Sequence, residues 1–113
     1  MMADKYWNIG DETEQVEFKK STGELKEAVI SIAAILSKHG SGDLYFGVKN
    51  NGDVIGQEIT DKTTREISQA IGNHLRPVIY PEIKKESYDG RDVVHVHFEG
   101  HMPPYSRILS ALR

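Results

Sequence analysis

The chain has 113 residues, 38% of them hydrophobic and 27% charged, a composition typical of one soluble globular domain. It has no cysteine, which excludes disulfides, thiol catalysis and cysteine metal sites, and no apolar run approaches the ~20 residues that span a bilayer. The formal net charge of −3 argues against a strongly basic nucleic-acid-binding protein.

The charge is uneven along the chain. Residues 1–17 carry five acids against Lys5, whereas the remaining residues carry 12 acids and 13 bases. A phosphate-binding surface must therefore be local, and its binding weak and salt-sensitive. The start of the chain lacks the features of a signal peptide, which together with the missing cysteines predicts a cytoplasmic protein.

The first half predicts a strand, a helix and a hairpin. Residues 1–11 form an irregular lead-in, in which Tyr6, Trp7 and Ile9 are expected to pack on the body as a flap. Residues 14–19 alternate as a strand, and Ser21 with Glu24 forms a capping box for an apolar helix that Gly40 ends. The apolar run 44–48 and residues 54–56 flank an Asn51-Gly52 turn, in which both central residues are expected to have positive φ.

The second half predicts one more helix and a second hairpin. Thr60 or Asp61 caps a helix over residues 62–75, and strands at 82–88 and 91–98 flank the Asp89-Gly90 turn. The predicted fold is a single α/β domain, a mixed sheet with two helices on one face, in the order β-α-β-β-α-β-β. Residues 106–113 form a C-terminal tail with no assigned element.

The order of these motifs carries a family resemblance. A Val16-Glu17-Phe18-Lys19 strand, an apolar helix, a small-residue loop, Gly47-Val48 and then Asn51-Gly52-x-Val54-x-Gly56 follow one another. Over residues 12–105 this order resembles the AlbA-like domain of Schlafen proteins and of bacterial transcriptional regulators. The resemblance implies contact with DNA or RNA and further strands after Tyr105. The sequence leaves open whether a larger parent protein carries further domains after Tyr105.

Lysines at the predicted element ends are the candidate nucleic-acid contacts. If those ends converge, Lys19, Lys20, Lys38 and Lys49 form a basic edge suited to a phosphate backbone, with Asn50 and Asn51 at the hairpin tip reaching sugars or base edges. Without that convergence they are ordinary solvated lysines. No recognition helix or aromatic stacking platform is evident, so the predicted specificity is low.

Two glutamates are candidate catalytic residues. In nuclease members of the Schlafen family, two glutamates of a Glu-x-x-x-x-Glu-Phe-Lys pattern join a later acid to hold a divalent metal, and this chain keeps Glu12 and Glu17 in that pattern. Carboxylates suit Mg²⁺ or Mn²⁺. The third acid is expected just after Gly47-Val48, where Lys49 and Asn50 stand instead. The alternative for Glu17 is an ion pair with Lys19.

Two further patterns have competing readings. Gly40, Ser41 and Gly42 form either an anion-binding loop or a helix stop with a tight turn. His95 and His97 share one side of a strand, where they are either zinc ligands that need a third partner, such as His74 or His101, or surface histidines.

The sequence therefore favours a DNA-binding or RNA-binding module of a transcriptional regulator that acts without a cofactor. The alternatives are a Schlafen-like endoribonuclease that uses Mg²⁺ or Mn²⁺, and a protein-interaction or sensor domain. Exposed sheet edges make a homodimer a further expectation.

Overall fold

The computed structural model describes residues 7–108. The strands and helices of this part are, in chain order, β1 (Val16–Lys19), α1 (Leu25–His39), β2 (Ser41–Phe46), α2 (Asp61–His74), β3 (Leu75–Arg76), β4 (Glu82–Tyr88), β5 (Arg91–Glu99) and β6 (Ser106–Arg107).

One four-stranded sheet organises the domain. Its order is β1-β2-β5-β4, with β1 parallel to β2 and the other neighbours antiparallel. Helix α1 is the crossover between the two parallel strands, and the short β3 pairs with β6 in a separate two-stranded sheet. This arrangement confirms the predicted α/β fold with a mixed sheet and two helices.

The main core lies between the two helices and one face of the sheet. Every second residue of β2 and β5 is buried there, because alternate side chains of a strand point to opposite faces. The buried set that packs together comes from both helices and both central strands, and it includes Val29, Ile32, Leu36, Leu44, Phe46, Ile67, Ile71, Val94, Val96 and Phe98. Both helices therefore cover the same face, as predicted.

A smaller core on the opposite face is built by the segment that follows β2. Phe18 and Val93 from the sheet pack against Val48 and Val54, and all four side chains are almost fully buried. The 47–56 segment thus folds back over one end of the sheet. It leaves the middle of β2 and β5 uncovered on this face, where Tyr45 is half-buried.

The first turn differs from the predicted one. The amide of Gly52 donates to the Lys49 carbonyl and that of Lys49 to the Asp53 carbonyl, so Asn50 and Asn51 are the central residues of the turn. Gly52 has φ +92°, and no other turn residue has positive φ, which defines a three-residue hairpin loop with a glycine bulge. Only an isolated bridge between Val48 and Val54 follows, so the predicted strand at 54–56 is not formed.

The predicted end of α1 and the predicted cap of α2 are confirmed, whereas the predicted capping box before α1 is not formed. Gly40 ends α1 with φ +82°, and Thr60 caps α2 through a reciprocal pair with Thr63. Before α1, the Ser21 hydroxyl accepts from Gly23 and begins a short 3₁₀ turn, Thr22–Glu24. The Glu24 carboxylate accepts from the Lys20 amide and not from Ser21, so the predicted capping box is not closed.

The described part of the lead-in packs on the body as expected for a flap. The amide of Ile9 donates to Gly52, and the Trp7 carbonyl accepts from Val54. The side chain of Ile9 packs on the smaller core and the indole of Trp7 lies 6.1 Å from the ring of Tyr88. Tyr6 lies outside the described residues, as do residues 109–113 of the predicted tail.

The second hairpin forms as predicted. Asp89 and Gly90 have φ of +54° and +83°, as a two-residue turn between twisted strands requires. Within residues 7–108, neither helix is long and apolar enough to cross a membrane.

Candidate nucleic-acid interface

Three of the predicted lysines meet at one end of the sheet. Because β1 and β2 are parallel, their carboxyl ends lie side by side, and the amides of Gly47 and Val48 donate to the Lys19 carbonyl at 2.8 and 3.1 Å. Lys20 follows β1 directly and Lys49 follows Val48. We call Lys19, Lys20 and Lys49 the lysine edge.

The fourth lysine lies at the other end. Lys38 is in the last turn of α1, just before β2 begins, whereas the lysine edge lies beyond the end of β2. At 3.3 Å per residue, the six residues of β2 separate the two places by roughly 16–20 Å. Lys38 also pairs with Glu14 at 3.3 Å. The predicted convergence of all four lysines is therefore wrong for Lys38.

The members of the lysine edge differ in availability. The ammonium of Lys19 lies 3.4 Å from the Glu17 carboxylate and its side chain is only 12% exposed, which confirms the predicted ion pair. Lys20 and Lys49 are exposed and have no ion pair within residues 7–108. These two side chains are thus the cations that an incoming phosphate reaches without displacing a carboxylate.

The hairpin tip offers one free amide side chain and one engaged one. Asn50 is exposed at the centre of the turn. The side chain of Asn51 is held at both ends, because its amide donates to the Asp53 carboxylate at 3.1 Å and its oxygen accepts from the Asp53 amide. Asn8 of the flap reaches the carbonyl of Asn51 and the carboxylate of Asp53. Asn51 therefore shapes the turn, and Asn50 is its accessible polar group.

The Gly40-Ser41-Gly42 segment is not a loop. Ser41 and Gly42 are the first residues of β2 and pair with Glu99 and Phe98, while the Gly40 amide is taken by the Leu36 carbonyl. A Cβ on Gly42 would come within 2.6 Å of the Ile35 side chain, so this glycine is required for close helix–strand packing. The helix-stop interpretation is the one that agrees with the structure.

The two candidate catalytic glutamates do come together. Glu12 lies beside β1, where its carboxylate accepts from the Phe18 amide at 2.9 Å and so satisfies an edge donor of the sheet. Phe18 directly follows Glu17, so this contact makes the two glutamates neighbours. Partial burial, and then the negative charge of Glu12, raises the pKa of Glu17. The Lys19 ammonium completes the group.

This group does not fit a divalent metal. Mg²⁺ and Mn²⁺ require several oxygen ligands. Here the Glu17 carboxylate pairs with Lys19, and Lys49 and Asn50 occupy the sequence position expected for a third acid. Within residues 7–108, no set of three or more histidine, cysteine, aspartate or glutamate side chains is arranged to hold a metal ion.

The two histidines of β5 lie among carboxylates on the uncovered face. Both imidazole rings contact Asp43 of β2, His95 also contacts Glu86 of β4, and His97 also contacts Glu99. The sequence indicated only that His95 and His97 share a side. Asp43 and Glu86 were not predictable partners, because the strand register brings them there.

The fold and this site define a class of small α/β domain in which two helices cover one face of a mixed sheet and basic side chains gather where two parallel strands end. The sequence profile of the Schlafen AlbA_2 family matches residues 12–108, so the chain belongs to that family. No functionally curated protein matches the sequence.

Solved structures with a similar fold include two bacterial proteins. The N-terminal domain of a protein from Nitrosomonas europaea, described as related to the ATP-dependent DNA helicase RecG, superposes with a TM-score of 0.67 at 19% identity, over 90% of this chain and 75% of that one. The DIP2311 protein from Corynebacterium diphtheriae has a TM-score of 0.66 at 17% identity, over 82% of this chain. This chain corresponds to only 19% of the length of DIP2311.

Proposed function

We propose that this domain binds the phosphate backbone of DNA or RNA with low sequence specificity, and that it does so through the lysine edge. The observation that carries the proposal is the parallel pairing of β1 and β2, which places Lys20 and Lys49 together, exposed and without ion pairs in the described part of the chain. Asn50 is the adjacent group suited to a sugar or a base edge.

Relatives support the same interpretation. The family match covers most of the chain, and one structural neighbour is described as RecG-related, a description that includes a DNA helicase. A role in transcriptional regulation and a cytoplasmic location are consistent with this proposal.

The lysine edge predicts weak binding. Two or three phosphate contacts are few, and Glu12, Glu17 and Glu24 lie close to the same end of the sheet. Since each neutralised phosphate contributes about −0.9 to the slope of log K against log salt, the expected slope is about −2 to −3.

A gel shift at low salt tests the proposal. Labelled duplex DNA, single-stranded DNA and a structured RNA are each run with Mn²⁺ and with EDTA, and again at higher salt. The proposal predicts a shift that higher salt removes and that the metal leaves unchanged. Absence of any shift under all conditions would refute it and favour a protein-interaction domain. Light scattering on the same sample tests the homodimer that free sheet edges suggest.

A Schlafen-like endoribonuclease is the second candidate, and the observation that favours it is that the Glu12 carboxylate lies on the Phe18 amide, beside Glu17. The incomplete set of carboxylates counts against it, and we derive no metal-dependent step. Shortened RNA in the Mn²⁺ lanes alone, abolished by Glu17→Gln, would establish this candidate. Cleavage that survives Glu17→Gln would come from a contaminating nuclease.

A further inference from the structure

A chain of alternating carboxylates and imidazoles crosses the uncovered face of the sheet. We call Glu86, His95, Asp43, His97 and Glu99 the imidazole–carboxylate chain. His95 Nδ1 lies 2.8 Å from the Glu86 carboxylate and its Nε2 lies 2.8 Å from Asp43 Oδ1. His97 Nδ1 lies 2.9 Å from the same Asp43 oxygen, and its Nε2 lies 3.1 Å from Glu99.

This geometry determines where the protons are. An ionised carboxylate only accepts hydrogen bonds, and a neutral imidazole has one donor nitrogen and one acceptor nitrogen. A ring with both nitrogens facing carboxylates therefore satisfies both contacts only when each nitrogen carries a proton. Deprotonation turns one contact of that ring into a repulsion between two lone pairs. In both His95 and His97, the two ring nitrogens face carboxylates.

The imidazole–carboxylate chain also joins three adjacent strands. Glu86 lies on β4, Asp43 on β2 and the remaining three members on β5. We propose that the imidazole–carboxylate chain is a pH-responsive clasp, which fastens the side chains of β2, β4 and β5 to one another and which opens when the His97 ring loses a proton.

Further charged and titratable groups on this face come from β2, β4 and β5, where Arg91 lies opposite Tyr88 in the same alternation as His95 and His97. Glu82 and Lys84 pair with each other at 3.2 Å, opposite His97 and His95 in the strand register. The ring of Tyr45 stacks on that of His95 with centroids 4.3 Å apart. Tyr88 donates to Glu86, and burial followed by that hydrogen bond raises the pKa of Tyr88 to about 12.

Electrostatics on the face agree with the clasp. Hydrogen bonds to Asp43 and then to Glu99 raise the pKa of His97 above its usual value of 6.5. Partial burial acts to raise the pKa of Asp43, but the hydrogen bonds from His95 and His97 outweigh it, so the pKa lies below the usual 3.8. Partial burial, followed by the charges of Glu86 and Asp43, raises the pKa of Tyr45, which keeps this ring neutral.

These directions define a pH window. A group whose folded pKa is raised stabilises the fold below its unfolded pKa and loses that contribution as the pH rises through the folded value, which is the case for His97. Asp43, with a lowered pKa, loses its contribution as the pH falls through its folded value. The clasp is therefore closed between the lowered pKa of Asp43 and the raised pKa of His97, and opens on the alkaline side through His97.

Nitrogen-15 NMR of the histidine side chains tests the proposal directly, since the shifts of the two ring nitrogens identify a doubly protonated ring. The expected result is a His97 midpoint above 6.5, which Asp43→Asn moves downward. His101 is exposed and lies outside the clasp, so it is the internal reference within the same spectra. A His97 midpoint equal to that of His101, unchanged by Asp43→Asn, would overturn the proposal.

Urea unfolding at several pH values tests whether the closed clasp stabilises the fold. In the native sequence, the urea concentration at the unfolding midpoint is expected to decrease as the pH is raised from 6 to 9. His97→Gln keeps a side-chain donor but cannot titrate, so the fall should become smaller in this variant, whereas the matched His101→Gln change should leave it intact. Equal pH dependence in all three proteins would refute the clasp even if one variant is less stable overall.

Discussion

Removing two charges from the lysine edge should change the salt dependence of binding by a calculable amount. The double variant Lys20→Gln/Lys49→Gln removes the two members of the lysine edge that are exposed and have no ion pair within residues 7–108. We therefore expect the free energy of unfolding to stay within about 0.5 kcal/mol of the native value.

The magnitude follows from counterion release. Two phosphate contacts contribute about −1.8 to the slope of log K against log salt, which means that binding weakens about 12-fold between 50 and 200 mM salt. If Lys19 also contacts a phosphate, the slope becomes about −2.7 and the loss about 40-fold. The double variant should lose about 1.8 from the measured slope in either case.

Fluorescence anisotropy with a labelled oligonucleotide at four or five salt concentrations measures this slope. Lys38→Gln removes one charge at the opposite end of the sheet and is the matched control, for which we expect the native slope. If Lys38→Gln and the single change Lys49→Gln reduce the slope equally, binding depends on overall charge, and the reasoning from the parallel strand ends is refuted.

Three further changes test the fold and its electrostatics. Gly52→Ala should destabilise the fold by about 1–2 kcal/mol, because the φ of Gly52 is positive and a Cβ there would overlap the flap. Gly72→Ala in the interior of α2 should stabilise the fold by about 0.5–1 kcal/mol. Thermal unfolding measures the sign of each stability change, and two changes of the same sign would contradict the assigned backbone conformations. Glu17→Gln should raise the free energy of unfolding at pH 7, because the pKa of this carboxyl is raised and its ionised form therefore opposes folding. At acidic pH the variant and the native protein should become equally stable. A loss of stability at pH 7 would mean that the ion pair with Lys19 dominates. Ser37→Ala should lower the free energy of unfolding by about 1–2 kcal/mol, because this hydroxyl donates to the Tyr105 carbonyl and accepts from the Tyr105 amide. Urea unfolding measures this loss, and unchanged stability would show that water replaces both hydrogen bonds.

Most of the secondary structure could be predicted from local chemistry. Gly40 was identifiable as a helix stop, Thr60 as a helix cap and Asp89-Gly90 as a hairpin turn, because each depends on the conformational preference of one or two residues. The first turn was harder. The Asn51-Gly52 pair is compatible with a two-residue turn centred on it and also with a turn centred on Asn50 and Asn51 that ends in a bulge at Gly52. The flap that contacts this hairpin lies more than 40 residues away in sequence.

The candidate interface could be predicted only in part. The types of residue and their places at element ends were readable, and so was the ion pair between Glu17 and Lys19 on one side of a strand. Which ends converge depends on strand direction. The parallel pairing of β1 with β2 joins Lys19, Lys20 and Lys49, and the antiparallel course of α1 carries Lys38 away from them.

The sequence by itself determined the fold class, because hydrophobic periodicity, caps and turns are local properties that repeat along the chain. The tertiary structure alone brought Asp43 to His95 and His97, since Asp43 lies more than 50 residues before both histidines and meets them only through the register of β2 against β5. A shift of that register by one residue would turn Asp43 to the helix side of the sheet. Long-range pairing therefore decides which charges become neighbours, and with them the chemistry of each face.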